Sequence, residues 1–200
     1  MNLTTLTVGP IGTNCYIVYN EDAGTALVID PGEEAERILA LLEALKRKPA
    51  AILLTHGHFD HVGAVKKLAE KTGTPVYLHP ADRELPPWLT RPLPETLPLS
   101  DGQILRFDGL ELKVLHTPGH TPGGVCFRLE GEGVLFTGDS LFAGSCGRTD
   151  LGGSWAELAA SLRRLAALDG NDTVYPGHGE PTDLDTERGS NPYLEMACKE

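Results

Sequence analysis

The first half of the chain alternates between short apolar runs and longer stretches whose apolar residues recur every three or four positions. The short runs are bounded by turn-forming residues, which is typical of strands. They predict strands at residues 15–19, 25–29, 50–54 and 75–78. The helical period at residues 33–47 and 62–71 predicts two helices. The proline-dense segment 85–98 predicts a surface loop or a lid.

The second half is richer in strand patterns, which are joined by glycine turns. It predicts strands at residues 104–107, 110–115, 124–129, 134–136 and 173–175. An amphipathic segment at 155–168 predicts a helix, since Ser154 can cap its start and Gly170 follows its end. The residues from Asn191 onward predict a terminal helix.

Length and composition are those of an ordinary globular protein. The 200 residues fit one domain, 1–200, with 40% apolar and 22% charged residues. No segment approaches the roughly 20 apolar residues of a membrane helix, and the start lacks the basic pattern of a signal peptide. We therefore expect no membrane partner and a cytoplasmic location. The four cysteines have no C-x-x-C spacing, so we expect small buried side chains rather than disulfides or ligands. They are Cys15, Cys126, Cys146 and Cys198.

The net charge of −11 and the pI near 5.0 limit the partners of the protein. Binding to nucleic acid requires a basic surface that neutralises phosphates, so no nucleic-acid partner is expected. A small anionic substrate is compatible with this charge if the site supplies its own positive charge, which bound metal ions would do. Nothing in the pattern indicates an oligomeric state.

Histidine and aspartate residues cluster where predicted strands end. Residues 55–61, Thr-His-Gly-His-Phe-Asp-His, directly follow the run 50–54 and hold three of the seven histidines. Single donors follow three other predicted strands, in glycine-containing turns: His120, Asp139 and His178. Loops at strand ends project side chains while the sheet fixes their positions. We therefore expect these donors to converge on one site.

The cluster holds five imidazoles and two carboxylates, which is too many for one tetrahedral zinc ion. They suit two ions with three protein ligands each and one shared carboxylate. His56 and His58 are predicted to face one ion, and the pair Asp60 and His61 the other. Imidazole and carboxylate ligands without thiolate favour zinc, iron or manganese.

The competing interpretation is a histidine-rich polar turn. It requires seven donors at four strand ends to be coincidental, so a metal site is favoured. His79 and His116 lie outside the cluster pattern and are predicted to make ordinary hydrogen bonds. His116 is alternatively a neighbour of the site.

The order of these residues resembles the metallo-β-lactamase superfamily. Residues 55–61 match its T-H-x-H-x-D-H signature, and the later donors follow in the order of the family. The resemblance covers nearly the whole chain and implies an α/β fold, an αβ/βα sandwich of two mixed sheets with helices on the outer faces. It also implies two metal ions per chain, with zinc favoured and iron or manganese as alternatives. One ion is assigned His56, His58 and His120, and the other Asp60, His61 and His178, with Asp139 bridging.

Residues 138–150 resemble the glyoxalase II group of this superfamily, which hydrolyses S-acylglutathione thioesters. Asp139, in place of a cysteine or serine, argues against a true β-lactamase. Arg148 falls where the group carries a cation that contacts glutathione, which makes it the expected substrate-binding residue. Asp150 falls where a tyrosine is frequent, and its carboxylate would repel an acidic tripeptide. Only residues 179–200 follow the last ligand, so the resemblance is to the short members without a C-terminal helical domain.

The resemblance implies hydrolysis of a small anionic thioester by a hydroxide that bridges the two ions. Two cations lower the pKa of a shared water to about 7, which makes hydroxide available at neutral pH. Asp60 is expected to be catalytic because it would orient this hydroxide. The thiolate leaves without a separate acid. Arg148 either binds a substrate carboxylate or forms a structural ion pair, with Asp150 as one partner.

Two other reactions fit the same signature. Persulfide dioxygenases share the fold and the element Cys-Gly-Arg-Thr-Asp at 146–150, and they use one iron. The residues matching their iron ligands are His56, His120 and Asp139. A phosphodiester or nucleic-acid hydrolase is disfavoured by the acidic charge.

Two further residues, Asp30 and Asn14, also match family positions. Asp30 precedes Pro-Gly at a strand end, so it is either a partner of a ligand histidine or a turn residue.

Overall fold

Two six-stranded mixed sheets form the centre of the protein. The computed structural model describes residues 1–199. The strands of the first sheet are β1 (Asn2–Val8), β2 (Thr13–Tyr19), β3 (Thr25–Ile29), β4 (Lys48–Leu53), β5 (Val76–Leu78) and β6 (Thr96–Pro98). They lie in chain order, with β1 to β3 antiparallel and β3 to β6 parallel.

The second sheet is built from the second half of the chain. Its strands are β7 (Ile104–Phe107), β8 (Leu110–His116), β9 (Val125–Leu129), β10 (Val134–Gly138), β13 (Thr173–Pro176) and β14 (Thr182–Asp183). They lie in the order β14-β13-β10-β9-β8-β7, and only the pair β10–β13 is parallel. A separate hairpin follows β10 and consists of β11 (Leu141–Phe142) and β12 (Ser145–Cys146).

Helices cover the outer faces of both sheets. They are α1 (Ala35–Ala44), α2 (Phe59–Val62), α3 (Val65–Thr72), α4 (Trp155–Ala166), α5 (Leu184–Ser190) and α6 (Pro192–Lys199). The helices α1 and α3 pack on the first sheet, and α4, α5 and α6 pack on the second. The predicted cap of α4 is present, since Ser154 Oγ accepts a hydrogen bond from Glu157 N. Within residues 1–199, each helix is too short or too polar to cross a membrane.

Alternation along the strands divides the buried core into layers. On β2, Cys15 and Ile17 join the layer beneath the helices, whereas Tyr16 and Val18 join the layer between the sheets. Successive side chains of a strand point to opposite faces, so a strand covered on both faces reads as a continuous apolar run. The resulting order of helices, sheet, sheet and helices confirms the αβ/βα sandwich that the resemblance implied.

Most predicted elements are present, with differences at their ends. Helix α1 ends at Ala44 rather than at the predicted residue 47, because Lys46 adopts a left-handed conformation with a φ of 55°. The helix predicted at 62–71 corresponds to α3, and a separate short helix, α2, precedes it. The loop predicted at 85–98 ends in β6, which forms an edge of the first sheet.

Several short elements were not predicted. The hairpin strands β11 and β12 and the edge strand β14 have two residues each, which is too short for an alternating pattern to be visible. Helix α5 was also missed, although Asp183 caps it by accepting a hydrogen bond from Thr186 N.

The cysteines differ in their exposure. Cys15 and Cys126 are buried, as expected, and Cys146 is half-buried. The expectation was wrong for Cys198, which is exposed on α6.

Phe136 tests the packing between the sheets, because its ring lies 5.1 Å from that of Tyr16 and 5.7 Å from that of Tyr175. Phe136→Ala should lower the free energy of unfolding by about 3–5 kcal/mol, since apolar burial is lost and a cavity remains. Urea denaturation at a fixed metal concentration measures this change. The control Met196→Ala, at a half-exposed position on α6, should change it by less than about 0.5 kcal/mol. Similar losses in both variants would contradict the buried position of Phe136.

Candidate metal centre

Four strand ends bring the predicted donors to one edge of the sandwich. The donors are His56, His58, Asp60 and His61 after β4, His120 after β8, Asp139 after β10, and His178 after β13. Backbone contacts join the two sheets at this edge. Val125 N donates to Thr55 O at 2.8 Å, and an isolated β-bridge links Thr13 to His178. The loops that carry the donors are therefore anchored to both sheets.

The first triad consists of His56, His58 and His120, and all three side chains are buried. One ring nitrogen from each lies within 4.8 Å of the other two. His58 Nδ1 and His120 Nε2 are 2.9 Å apart. The ring of His56 stands nearly perpendicular to the other two rings, at centroid distances of 4.8 and 4.9 Å. Three imidazoles thus converge on one point.

The second triad consists of Asp60, His61 and His178. His61 Nε2 and His178 Nε2 are 3.2 Å apart, and His178 Nε2 lies 3.2 Å from Asp60 Oδ2. Helix α2 carries the first two of these residues, next to each other in its first turn. This triad therefore combines two imidazoles with one carboxylate.

Asp139 lies between the two triads. Its Oδ2 is 3.4 Å from Nε2 of His120, which belongs to the first triad. Its Oδ1 is 3.3 Å from Nε2 of His61, which belongs to the second triad. The structure therefore brings together all seven residues that the sequence predicted, as two triads with Asp139 between them.

The atoms of this centre have the properties expected of metal ligands. His56 Nε2 and Asp139 Oδ1 are buried side-chain atoms without a hydrogen-bond partner. Leaving a buried polar atom unpaired costs about 1–3 kcal/mol, and a coordinated cation would remove this cost at a donor aimed into the centre. Imidazole and carboxylate donors without thiolate suit zinc, iron or manganese. The cluster can therefore hold metal.

Burial and neighbouring charges set the protonation of the two triads differently. Burial and the nearby histidines place the pKa of His56 well below its usual value, and the same causes lower the pKa of His58 to about 4. Burial also opposes protonation of His61, but Asp139 and Asp30 outweigh it and raise its pKa well above the usual value. At neutral pH and without bound cations, the imidazoles of His56 and His58 are neutral, which is the form that binds metal.

Asp30 orients one ligand histidine. Its Oδ2 accepts a hydrogen bond from His61 Nδ1 at 3.0 Å, and its Oδ1 accepts one from Thr55 N at 2.7 Å. The bond to Nδ1 directs Nε2 of His61 toward the second triad, as outer-shell carboxylates do for metal-binding histidines. Of the two roles considered for Asp30, the structure shows the contact with a ligand histidine. Its left-handed φ of 49° shows that it also shapes the turn.

Arg148 contacts the centre through its backbone, whereas its side chain lies at the surface. Its carbonyl oxygen accepts a hydrogen bond from His120 Nδ1 at 2.7 Å. Its guanidinium pairs with Asp150, and both side chains are more than half exposed. The structure thus contains the ion pair with Asp150, which was one of the two roles predicted for Arg148. It also shows a backbone contact with His120 that the sequence did not indicate.

Hydrogen bonds from β2 hold the loop on both sides of His178 in place. Asn14 Nδ2 donates to Gly179 O at 2.8 Å and to Pro176 O at 3.2 Å. Tyr16, also on β2, donates from its hydroxyl to Pro176 O. The family position of Asn14 therefore corresponds to a contact that positions the last ligand loop.

Two glycines are necessary for the close approach of the donors, and sequence reasoning did not single them out. A Cβ at Gly147 would lie 1.9 Å from Asp139 O. A Cβ at Gly177 would lie 2.2 Å from Asp139 Oδ1. Glycine is needed where neighbouring groups leave no room for a side chain. The signal available in the sequence was their position beside Cys146 and His178.

His79 and His116 lie outside both triads. Their rings stack on each other, with centroids 4.3 Å apart and planes inclined by 9°. His116 Nε2 also lies 3.0 Å from Pro122 O. Their position agrees with the prediction that they make ordinary contacts.

Comparisons of the sequence with family models and with known proteins agree on one family. The model of the metallo-beta-lactamase superfamily matches residues 8–178. An uncharacterized protein of Aquifex aeolicus is 44% identical over 207 residues, covering 96% of this chain and 97% of its own length. The hydroxyacylglutathione hydrolase GloC of Haemophilus influenzae is 37% identical over 212 residues, covering 97% of this chain and 98% of its own.

Solved structures agree with the same fold. The BLEG-1 B3 metallo-beta-lactamase is 38% identical with a TM-score of 0.89, covering 96% of this chain and 99% of that one. TTHA1623 in a di-iron-bound form is 42% identical with a TM-score of 0.84, covering 95% and 99%. ETHE1 from Myxococcus xanthus is 27% identical with a TM-score of 0.82, covering 98% and 90%.

Gly177→Ala tests the packing of the centre. The added methyl group would lie 2.2 Å from Asp139 Oδ1 and 2.6 Å from His61 Cε1. It should displace one of these ligands and weaken zinc binding by roughly 10- to 100-fold. Titration of the metal-free protein with Zn²⁺ measures the affinity. The control Gly189→Ala on α5 has no atom within 4 Å of the new methyl group and should leave the affinity unchanged. Equal affinities in both variants would contradict the packing at Gly177.

Proposed function

This chain belongs to the metallo-β-lactamase superfamily as a metal-dependent hydrolase, and we propose that it cleaves thioesters of the S-acylglutathione type at a binuclear centre. The observation that carries the proposal is the position of Asp139 between two complete triads. The relative from Haemophilus influenzae, named a hydroxyacylglutathione hydrolase, supports the choice of substrate class. Zinc is the proposed metal, with iron as the first alternative because TTHA1623 is described in a di-iron-bound form.

The ligand residues would hold one ion at the first triad and one at the second, with Asp139 shared. Two divalent cations in these positions would supply the positive charge that acidifies a water molecule and stabilises the oxyanion of the thioester carbonyl. The ring orientations are set by the protein, since Asp30 holds His61 and the carbonyl of Arg148 holds His120. The rings of His61 and His120 would therefore need no rearrangement when metal and substrate bind.

Asp60 is the proposed catalytic residue. Burial raises its pKa, but its hydrogen bond with His178 and the charge of His61 outweigh this effect and lower it. Its carboxylate is therefore ionised at neutral pH and can accept a hydrogen bond from the attacking water, which orients it. Thr13 Oγ1 lies 3.4 Å from Asp60 Oδ2 and restricts the orientation of the carboxylate. A thiolate is a good leaving group and requires no separate acid.

Arg148 is the proposed contact for a substrate carboxylate. Its guanidinium and the carboxylate of Asp150 are 62% and 65% exposed, so water screens their attraction. A substrate carboxylate could therefore compete with Asp150 for the planar fork of the guanidinium, which suits bidentate binding. The same competition would weaken binding of an acidic substrate relative to an enzyme without this aspartate.

Persulfide dioxygenation is the second candidate. His56, His120 and Asp139 form a two-histidine, one-carboxylate set of the kind that holds a single non-haem iron. The solved structure of ETHE1 has the same fold at 27% identity. Metal stoichiometry and oxygen uptake distinguish this candidate from the hydrolase.

Metal content and turnover test the proposed reaction directly. Purified protein should contain two metal ions per chain and hydrolyse S-lactoylglutathione, because both triads are complete. Chelation with EDTA should abolish hydrolysis, and added Zn²⁺ should restore it. One iron per chain with oxygen uptake on glutathione persulfide would contradict the hydrolase and favour the dioxygenase. A β-lactam serves as a third substrate, because one solved relative is named a metallo-beta-lactamase.

The pair Arg148 and Asp150 yields a test of substrate recognition. Asp150→Asn should lower KM for S-lactoylglutathione, because the guanidinium loses its internal partner. Arg148→Ala should raise KM several-fold, with kcat little changed in both variants, since the contact is remote from the reacting atoms. A thioester without carboxylate groups serves as the control substrate and should show the same KM in all three proteins. Unchanged KM for the glutathione thioester would contradict this role of Arg148.

A further inference from the structure

Asp82 is a buried carboxylate that the predicted site did not include. It lies in the 3-10 turn Pro80–Glu84, between β5 and the proline-dense segment, and its exposed fraction is 1%. Among residues 1–199, no lysine or arginine side-chain nitrogen lies within 4.0 Å of its carboxylate oxygens. Burying a carboxylate without an ion-pair partner is unfavourable unless hydrogen bonds compensate.

Three hydrogen bonds compensate for the burial of Asp82. Its Oδ2 accepts one from Gly57 N at 2.8 Å and one from Thr121 Oγ1 at 2.8 Å. Its Oδ1 accepts one from Gly123 N at 2.6 Å. The carboxylate therefore links two loops that are distant in sequence.

These two loops carry the complete first triad. Gly57 lies between His56 and His58, and Thr121 directly follows His120. One carboxylate thus fixes the distance between the backbone segments that present all three imidazoles. The second triad has a carboxylate of its own in Asp60, whereas the first is made of imidazoles alone. A buried negative charge beside the first triad would also favour a cation there.

The space around the carboxylate of Asp82 is restricted. A Cβ at Gly123 would lie 2.6 Å from Asp82 Oδ1, and a Cβ at Gly57 would lie 3.1 Å from Asp82 O. A side chain at Gly123 would displace the carboxylate and one at Gly57 would crowd the turn, whereas glycine lets both backbone N–H groups approach Asp82. On its other side, the turn after Thr121 is held by the contact of 3.0 Å between Pro122 O and His116 Nε2.

We propose that Asp82 is a positioning residue for the first metal ion, holding the loops of His56, His58 and His120 at the spacing that binds a cation. This inference rests on the proposed binuclear centre. An asparagine cannot replace the carboxylate, because its amide has one accepting oxygen and one donating NH₂ group instead of two accepting oxygens. In either orientation of the amide, its NH₂ group faces a backbone N–H donor, at Gly57 or at Gly123.

Isothermal titration calorimetry of the metal-free protein with Zn²⁺ alone tests this role. Wild-type protein should bind two ions. In Asp82→Asn, the affinity for one ion should fall roughly 10- to 100-fold, while the affinity for the other should be unchanged. His58→Ala identifies the affected site, because it removes a ligand of the first triad. Adding Asp82→Asn to His58→Ala should leave the affinity for the remaining ion unchanged, a result that a general loss of structure would not produce.

Asp172→Asn is the matched control. Asp172 is 4% exposed and accepts a hydrogen bond from Arg128 Nε at 2.6 Å. It precedes β13, whereas His178 follows the other end of this strand. Asp172→Asn should lower thermal stability but leave both zinc affinities unchanged.

A milder pair of variants tests the same contact even if Asp82→Asn does not fold. Thr121→Val removes the hydroxyl that binds Asp82, and Thr121→Ser keeps it. Zinc affinity at the first site should fall in Thr121→Val and be retained in Thr121→Ser.

The outcomes separate the two proposals. Fewer than two zinc ions in the wild-type protein would contradict the binuclear centre itself. Two ions in wild type, with unchanged affinities in Asp82→Asn, would overturn only the role of Asp82. Equal weakening of both ions in Asp82→Asn, or equal affinities in Thr121→Val and Thr121→Ser, would also overturn it.

Discussion

Ring nitrogens from separate loops approach each other so closely in this cluster that each pair requires a proton or a cation between the two nitrogens. His58 Nδ1 and His120 Nε2 are 2.9 Å apart, and His61 Nε2 and His178 Nε2 are 3.2 Å apart. An unprotonated imidazole nitrogen is only an acceptor, so two of them facing each other need a proton or a cation. The surrounding structure maintains this crowding, because both sheets anchor the loops and glycines such as Gly177 leave the space for it.

Carboxylates perform three different tasks around these nitrogens. Asp139 lies between the triads, with one carboxylate oxygen near a ring nitrogen of each. Asp30 binds the far nitrogen of His61 and so fixes the direction of the ligand nitrogen. Asp82 accepts hydrogen bonds from backbone groups of the two loops that carry the first triad. Buried carboxylates are costly one by one, and here each is compensated by hydrogen bonds or by imidazole.

The seven donors and the ion pair of Arg148 with Asp150 lie at different depths in the protein. Six of the seven donors are less than one-fifth exposed, whereas the side chains of Arg148 and Asp150 are more than half exposed. His178 is the remaining donor, at 23%. Burial strengthens electrostatic interactions at the centre, and exposure weakens them at the rim. Substitutions of the exposed Arg148 and Asp150 side chains should therefore leave the buried donors undisturbed.

The sequence by itself determined the main strands and helices and the cluster of seven candidate donors, because strand and helix periods and the spacing of residues 55–61 are local signals. The sandwich and the grouping of the donors came from the resemblance to a family rather than from periodicity. Only the tertiary structure decided which groups support the donors. Asp82, the backbone carbonyl of Arg148 and Gly177 act through contacts between segments far apart in the chain. Asp82 and Thr121, for example, are separated by 39 positions. Such contacts leave no local pattern, because they depend on how the two sheets bring strand ends together.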